Sequence, residues 1–518
     1  MRGNSKPCHT CRSRRLTCDS SQPHCKRCTF SGIQCLGYGR LFKWTNSVAS
    51  RGKSAGKSLP AKYADAQGEN VCRIRDEKAL AAAQRATSSS KVQSIGCFQL
   101  SPSSPVGLGD PSFRHVHPMA RYYLDYFAHR LCRDLVAVDL PDRNPFRRLV
   151  SMGVHHPILH QAMIAAASAH MSNFLKAPFS GEPASTSPLA HWDASVEASR
   201  RALVHSFQAR QRSLRLLHTA LQNLQSCERI VLLTTILLLI NIELIESGRH
   251  SWKAHLEGAI QLFLHTPPVG QDEETLGKFV ISDLIVYSAF AQSLVKDPLS
   301  GLLATLAQSK SILLQNASMN SYMCCPPEIL QLLATAAHLS NEAADDKFAG
   351  DVMKAGLDLF NTALSFDIDA WAANTYCVPI ERQSMNTQCR KNAGAAHQLS
   401  VCLYILRAIP SIHSMIPCDL RDCIERDLLF YLSSIPDQDP NFHSTLWPVF
   451  VPGAETVTLD QQTWILDRFW RIGLVFPWGS LGTAVNTLRL IWRSRDQSEL
   501  FVNWLDIVKR AKMNLLLV

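Results

Sequence analysis

Six cysteines near the start of the chain are spaced for soft-metal chemistry. Cys8-His-Thr-Cys11 is followed six residues on by Cys18, and Cys25-Lys-Arg-Cys28 is followed six residues on by Cys35, giving two copies of Cys-x2-Cys-x6-Cys. Thiolates at these intervals suit zinc, which takes four ligands in a tetrahedron. One zinc uses only four of the six sulfurs, and two independent zincs need eight. Two zincs are both satisfied if two thiolates are shared. Each copy opens with its Cys-x2-Cys pair, so the equivalent openers, Cys8 and Cys25, are expected to bridge the metals. Six thiolates and two zincs leave about two negative charges on the cluster, and a cationic surround is therefore favourable.

The elements that hold these sulfurs must be small. A unit of this length buries too little apolar surface to fold unaided, and metal takes the place of a core. The six-residue interval Arg12-Ser-Arg14-Arg15-Leu-Thr17 is expected to form a short helix, whereas the equivalent interval from Thr29 to Gln34 is uncharged and contains Gly32. If the halves fold alike, the first faces an anionic partner and the second completes the cluster. Lys26 and Arg27, on the approach strand of the second copy, are then placed for phosphates. Charge along the chain agrees: residues 1–62 carry thirteen Lys or Arg against one acid, Asp19, while the remaining 40 basic and 42 acidic residues nearly cancel. A basic end on a near-neutral body is the pattern of a nucleic-acid contact.

This segment resembles the fungal zinc binuclear cluster (Zn2Cys6) DNA-binding domain, with all six cysteines at allowed spacings. The resemblance implies two zincs per chain held by Cys8, Cys11, Cys18, Cys25, Cys28 and Cys35, with the first and fourth cysteines bridging. It also implies a helix tip in the major groove of double-stranded DNA, reading a short triplet, often CGG, through the basic residues after the second cysteine. Those residues here are Arg14 and Arg15, and arginine can hold guanine O6 and N7 with two hydrogen bonds. Arg12, Lys26 and Arg27 are expected on phosphates. The family commonly has lysine just before the third cysteine; here that position is Thr17.

At 518 residues the chain exceeds one typical core, and 46% hydrophobic with 19% charged residues is ordinary for a globular protein. Division into residues 1–45 (cluster), 46–113 (flexible linker rich in Ser, Gly, Ala, Lys and Pro) and 114–518 (helical body) is expected. The linker segment from Val71 to Ala86 lacks sustained heptads, so it offers no coiled coil. The chain binds as a monomer or forms a homodimer elsewhere. No secretory signal is visible, and the apolar run from Ile230 to Ile242 is too short and too interrupted to span a bilayer. It is expected to be a buried helix, with no membrane partner. Eleven of the 17 cysteines are scattered without pairing logic, which fits a reducing compartment.

The body reads as all-α: Trp192, Val196, Leu203 and Phe207 recur at helical multiples, as do Trp252, Leu256, Ala259, Ile260 and Phe263, and no alternating strand pattern intervenes. It resembles the fungal-specific transcription factor regulatory domain through Tyr122-Tyr-Leu-Asp-Tyr126, Asn144-Pro-Phe146, Met163-Ile-Ala-Ala-Ala-Ser-Ala-His170, Trp252-Lys-Ala-His255-Leu-Glu-Gly258, Trp447-Pro-Val-Phe-Val-Pro-Gly453, Trp492 and Trp504. The whole chain is thus expected to be a nuclear regulator of RNA polymerase II genes, plausible for a metabolic or secondary-metabolite gene set, with a small-molecule effector or co-regulator acting through the body. The competing expectation is a zinc-cluster scaffold for protein or RNA contacts that reads no bases. An enzyme is not expected: His155, His156 and His160 lack the Glu of a zinc-peptidase helix, there is no phosphate loop or nucleophile elbow, and Cys324-Cys325 and Cys418-x4-Cys423 lack ligand spacing. The aromatics Trp464, Phe469, Trp470, Phe476 and Trp478 are expected to pack a core and not to line a pocket.

Overall fold

A computed structural model describes residues 7–21, 25–31, 33, 35, 116–136, 139, 144–176, 189–222, 229–249, 251–265, 274–295, 325–342, 349–374, 387–497, 502–511 and 514–518. The linker expected over 46–113 lies outside the described residues, as do Gly32, Gln34 and Cys324. Contacts divide the chain into two units, 1–101 and 102–518. All regular structure among the described residues is helical.

In the first unit α1 spans His9–Ser13 and α2 spans Lys26–Phe30. Both start earlier than the sequence reading placed them. They begin inside the Cys-x2-Cys pairs and reach only the first two residues of the six-residue intervals, and Lys26 and Arg27 stand on the first turn of α2, not on a strand. The reason is a sulfur cap: Cys8 Sγ accepts the Cys11 N–H at 3.3 Å, and Cys25 Sγ accepts the Cys28 N–H at 3.3 Å. Five-residue helices are far below the length at which propensity alone sustains a helix, so these caps and the surrounding sulfurs hold them.

In the second unit the helices run α3 (Pro118–Tyr126), α4 (Pro145–His155), α5 (Pro157–Leu175), α6 (Leu189–Gln222), α7 (Arg229–Glu246), α8 (Trp252–His265) and α9 (Glu274–Leu294). They continue with α10 (Pro327–Glu342), α11 (Ala349–Leu364), α12 (Ile368–Ala373), α13 (Thr387–Ala408), α14 (Cys418–Ser433), α15 (Leu446–Glu455), α16 (Leu459–Val475), α17 (Gly479–Asp496) and α18 (Trp504–Arg510). α5, α7 and α13 form the centre. The apolar run read as a buried helix lies in α7, where every residue from Arg229 to Ile245 is buried. Three of its polar residues have partners: the Tyr287 hydroxyl donates to Asn241 Oδ1 at 2.9 Å, Arg210 Nη1 on α6 binds Glu246 at 3.0 Å, and Arg210 Nη2 binds Glu243; the Thr234 and Thr235 hydroxyls are buried without a hydrogen-bond partner among the described residues.

The stripe read on α6 was the wrong face. Val196 and Phe207 are exposed at 48% and 51%, and the side chain of Trp192 lies outside the described residues. The buried face is Ser199, Ala202, Ser206, Ala209 and Ser213, at the same helical interval. Small side chains let α6 approach α5 closely, and the serines use that approach. Ser199, Ser206 and Ser213 donate to the carbonyls of Ser172, Ala165 and Ile158 on α5 at 2.8, 3.0 and 3.2 Å. Hydrophobicity alone misreads a helix whose contact surface is Ala and Ser.

Of the aromatics from 464 to 478, Phe469, Phe476 and Trp478 are buried, with Phe476 stacked on Trp478 at 4.3 Å and on His443 at 5.8 Å. Trp464 packs partly buried against the core, and Trp470 is exposed at 43%. At the C-terminal end of the body, Glu455 on α15 joins three elements: it accepts from Arg407 Nε on α13 at 2.8 Å and from Trp504 Nε1 on α18 at 2.7 Å.

Candidate metal centre and nucleic-acid interface

The two halves of the first unit share a set of sulfur and backbone hydrogen bonds at an offset of seventeen residues. The Cys8 N–H donates to Cys18 Sγ at 3.4 Å and the Cys25 N–H to Cys35 Sγ at 3.5 Å. The Leu16 N–H meets the Cys11 carbonyl at 2.9 Å, as the Ile33 N–H meets that of Cys28. Each third cysteine is thereby folded back onto its helix N-terminus, and the sulfurs converge. Cys8, Cys11, Cys18 and Cys25 form one set with all sulfurs within 4.8 Å of one another, and Cys8, Cys25, Cys28 and Cys35 form a second. The sets share the two openers.

The donors fit zinc. A tetrahedral ion with Zn–S of about 2.3 Å separates its sulfurs by about 3.8 Å. Cys8 to Cys25, Cys8 to Cys28 and Cys11 to Cys25 are 3.6, 3.8 and 3.7 Å. Cys11 and Cys28, which fall in different sets, also stand 3.7 Å apart, so the sulfurs form one continuous nest. Burial pushes the Cys8 thiol up to about 12, and raises Cys11 and Cys25 as well. A buried thiol of that kind releases its proton to solvent only when a cation takes the proton's place on sulfur, and the oriented N–H groups at two helix N-termini would help a metal to hold the thiolates. Zinc in this nest supplies structural cross-linking. Among the described residues, both groups of His, Cys, Asp or Glu arranged to hold a metal lie here, and His155, His156 and His160 are in neither.

Three of the five residues predicted to face DNA fall on one segment. Arg12 is in the last turn of α1, Arg14 is its C-cap, and Arg15 follows with φ of 54°; all three are exposed. Arg15 therefore holds a left-handed backbone, which costs an L-residue roughly 1–2 kcal/mol. The equivalent position in the second copy is Gly32. Lys26 and Arg27 are exposed on α2.

Three roles escaped the sequence. Asp19, the only acid of residues 1–62, is an N-terminal cap for α2: its carboxylate accepts from the Lys26 N–H at 3.1 Å and the Arg27 N–H at 3.3 Å. The Ser21 hydroxyl, first, and these backbone donors hold its carboxyl well below the usual range. Its charge thus serves the helix N-terminus. Thr17, noted only for not being lysine, accepts a hydrogen bond from Arg27 Nη1 at 3.0 Å and links the two copies. Cys8 and Cys25 are helix caps as well as cluster members. Of these only Asp19 left a signal, as a lone acid in a basic stretch.

A six-sulfur nest with five of its cysteines buried, bearing a basic segment in one chain with an all-α body, defines a zinc-cluster transcription regulator. Residues 6–45 match the fungal Zn(2)-Cys(6) binuclear cluster domain, and residues 122–518 match the fungal specific transcription factor domain. The chain belongs to the fungal zinc-cluster transcription factor family, a family of transcription factors and not of enzymes. It is similar to the acriflavine sensitivity control protein acr-2 of Neurospora crassa, with 26% identity covering 99% of this chain and 97% of the relative. Over 41 residues, 8% of this chain and 5% of the relative, it is 45% identical to the arginine metabolism regulation protein II of Saccharomyces cerevisiae. No solved structure matches it. No helix among the described residues is long and apolar enough to cross a membrane.

Proposed function

We propose that this protein is a nuclear, sequence-specific DNA-binding regulator of RNA polymerase II genes. Its zincs are held by Cys8, Cys11, Cys18, Cys25, Cys28 and Cys35, with Cys8 and Cys25 shared, and residues 1–45 act as the DNA-binding domain, 46–113 as linker and 114–518 as regulatory domain. Arg14 and Arg15 read a CGG-like triplet in the major groove, and Arg12, Lys26 and Arg27 bind phosphates. Arg27 keeps one N–H on Thr17 and has four more for a phosphate. The body couples the cluster to a small-molecule effector or co-regulator by binding it with different affinity in two states, and the chain binds DNA either as a monomer or as a homodimer formed outside the 71–86 segment. The name of the full-length relative, which refers to control of acriflavine sensitivity, supports a gene set concerned with small molecules, whether metabolic or secondary-metabolite.

The observation that carries this reading is the asymmetry of a symmetric frame. The nest is the same from both copies, yet Arg12, Arg14 and Arg15 stand exposed on the first while the second has Thr29 and Ser31 at the positions of Arg12 and Arg14. Selection of sites from random duplexes by the purified full-length protein tests it. Enrichment of a CGG-like triplet is the expected result. Equal affinity for CGG-bearing and scrambled duplexes refutes base reading and leaves the scaffold role for protein or RNA.

A further inference from the structure

Thr17 is tied to Arg27 across the two copies, and it is also the end of Arg14-Arg15-Leu16-Thr17. Two arginines, two and three residues before a hydroxyl, form the pattern gripped by carboxylate-lined grooves of arginine-directed Ser/Thr kinases, because each guanidinium can pair with a carboxylate. The second copy repeats the pattern as Lys26-Arg27-Cys28-Thr29. Local structure separates the two. Thr29 lies inside α2 and donates its hydroxyl hydrogen to the Cys25 carbonyl at 3.1 Å. Thr17 is exposed, outside any helix, and its oxygen is an acceptor from Arg27. A kinase takes its substrate as an extended segment with the hydroxyl in line with the γ-phosphate. Drawing residues 14–17 out in that way would break the bond from the Leu16 N–H to the Cys11 carbonyl and would release the left-handed strain at Arg15.

We propose that Thr17 is a phosphorylation site that switches DNA binding off. The proposal rests on the DNA-reading function given above. In the transfer, Thr17 Oγ attacks the γ-phosphorus of ATP, the new O–P bond forms as the bond to the β-γ bridging oxygen breaks, ADP leaves, and the hydroxyl proton passes to the kinase's catalytic aspartate. The product adds about −1.5 to −2 charges beside a guanidinium already 3.0 Å from the oxygen. Arg27 pairs with the phosphate and is withdrawn from DNA, and the remaining charge opposes a neighbouring phosphate contact. Losing two contacts lowers the salt slope by about 2 and, in 0.15 M salt, weakens binding by about 30-fold.

The test uses zinc-loaded full-length protein, ATP and an arginine-directed Ser/Thr kinase catalytic subunit. Phosphate located by mass spectrometry is expected on Thr17, absent in Thr17→Ala and unchanged in Thr29→Ala. Modified protein is expected to bind a selected duplex about 30-fold more weakly than unmodified protein, with recovery after phosphatase. No phosphate on Thr17, equal modification of Thr29, or full DNA affinity with Thr17 modified overturns the proposal. Unmodified protein that does not distinguish CGG-bearing from scrambled duplexes defeats the DNA-reading function instead, and that measurement is made without kinase.

Discussion

Replacing Arg15 with glycine should make the cluster more stable and the protein blind. Arg15 holds φ of 54°, a conformation that glycine occupies without steric cost. Removing its Cβ recovers about 1–2 kcal/mol of backbone strain, and the greater freedom of glycine in the unfolded chain takes back about 0.5–1 kcal/mol. The net gain is about 0.5–1 kcal/mol. Because a unit this small folds with its metal, the gain appears as an apparent zinc affinity about two- to fivefold tighter, read by competition with a chromophoric chelator. Loss of the guanidinium removes a two-bond contact to guanine and lowers preference for a CGG-bearing over a scrambled duplex by about 1–3 kcal/mol. Arg15→Ala is the control, since alanine keeps the strain and lacks the side chain: it should match the glycine variant on DNA and fall short of it on zinc. Equal zinc affinity in the two variants would show that no strain is stored at this position. Undiminished base preference in both would show that Arg15 touches only phosphates.

Metal analysis should find two zincs per chain; Cys18→Ser, outside the set shared with Cys28 and Cys35, should keep one, and Cys25→Ser, common to both sets, should lose both. A wild-type stoichiometry of one zinc contradicts the shared-thiolate arrangement. Lys26→Ala should weaken all duplexes alike and reduce the salt slope by about 1, measured by fluorescence anisotropy across a salt series. In the body, burial pushes the His397 imidazole down to about 3 from an ordinary 6.5. Between those values the unfolded chain takes up a proton that the folded chain refuses, so stability falls as pH drops below about 6.5, by about 2 kcal/mol at pH 5. His397→Gln should reduce this acid limb in denaturant titrations of the full-length protein, leaving the share of His255, which burial pushes down to about 4, and an unchanged slope would place the titrating group elsewhere.

The ligand count was legible because six identical side chains at a repeated interval carry their meaning in spacing alone. So was the all-α class, since Ile230 to Ile242 is long, apolar and bounded. Helix position in the small unit was not, because a sulfur atom caps α1 and α2 and propensity rules assign such caps to Ser, Thr, Asp and Asn. The α6 face was missed because its contact with α5 is made by Ser199, Ala202, Ser206, Ala209 and Ser213, whose value lies in small size and in hydroxyls aimed at carbonyls. The Asp19 cap and the bond from Arg27 to Thr17 join residues seven to ten positions apart through a loop, and no local period encodes such a meeting.

The set of hydrogen bonds shared by the two halves has a consequence for orientation. A frame in which Cys8 and Cys25 are interchangeable does not itself choose which copy docks. On the proposed reading of DNA, that choice would rest on a handful of side chains between Arg12 and Thr17. Transplanting that segment onto positions 29–34, and the uncharged one onto 12–17, would leave the metal chemistry intact and turn the module end for end on the duplex, so the linker would depart from the opposite side of the half-site. On the proposed reading of DNA, the direction in which this protein would sit along a promoter is a property of surface dressing, separable from the fold that carries it.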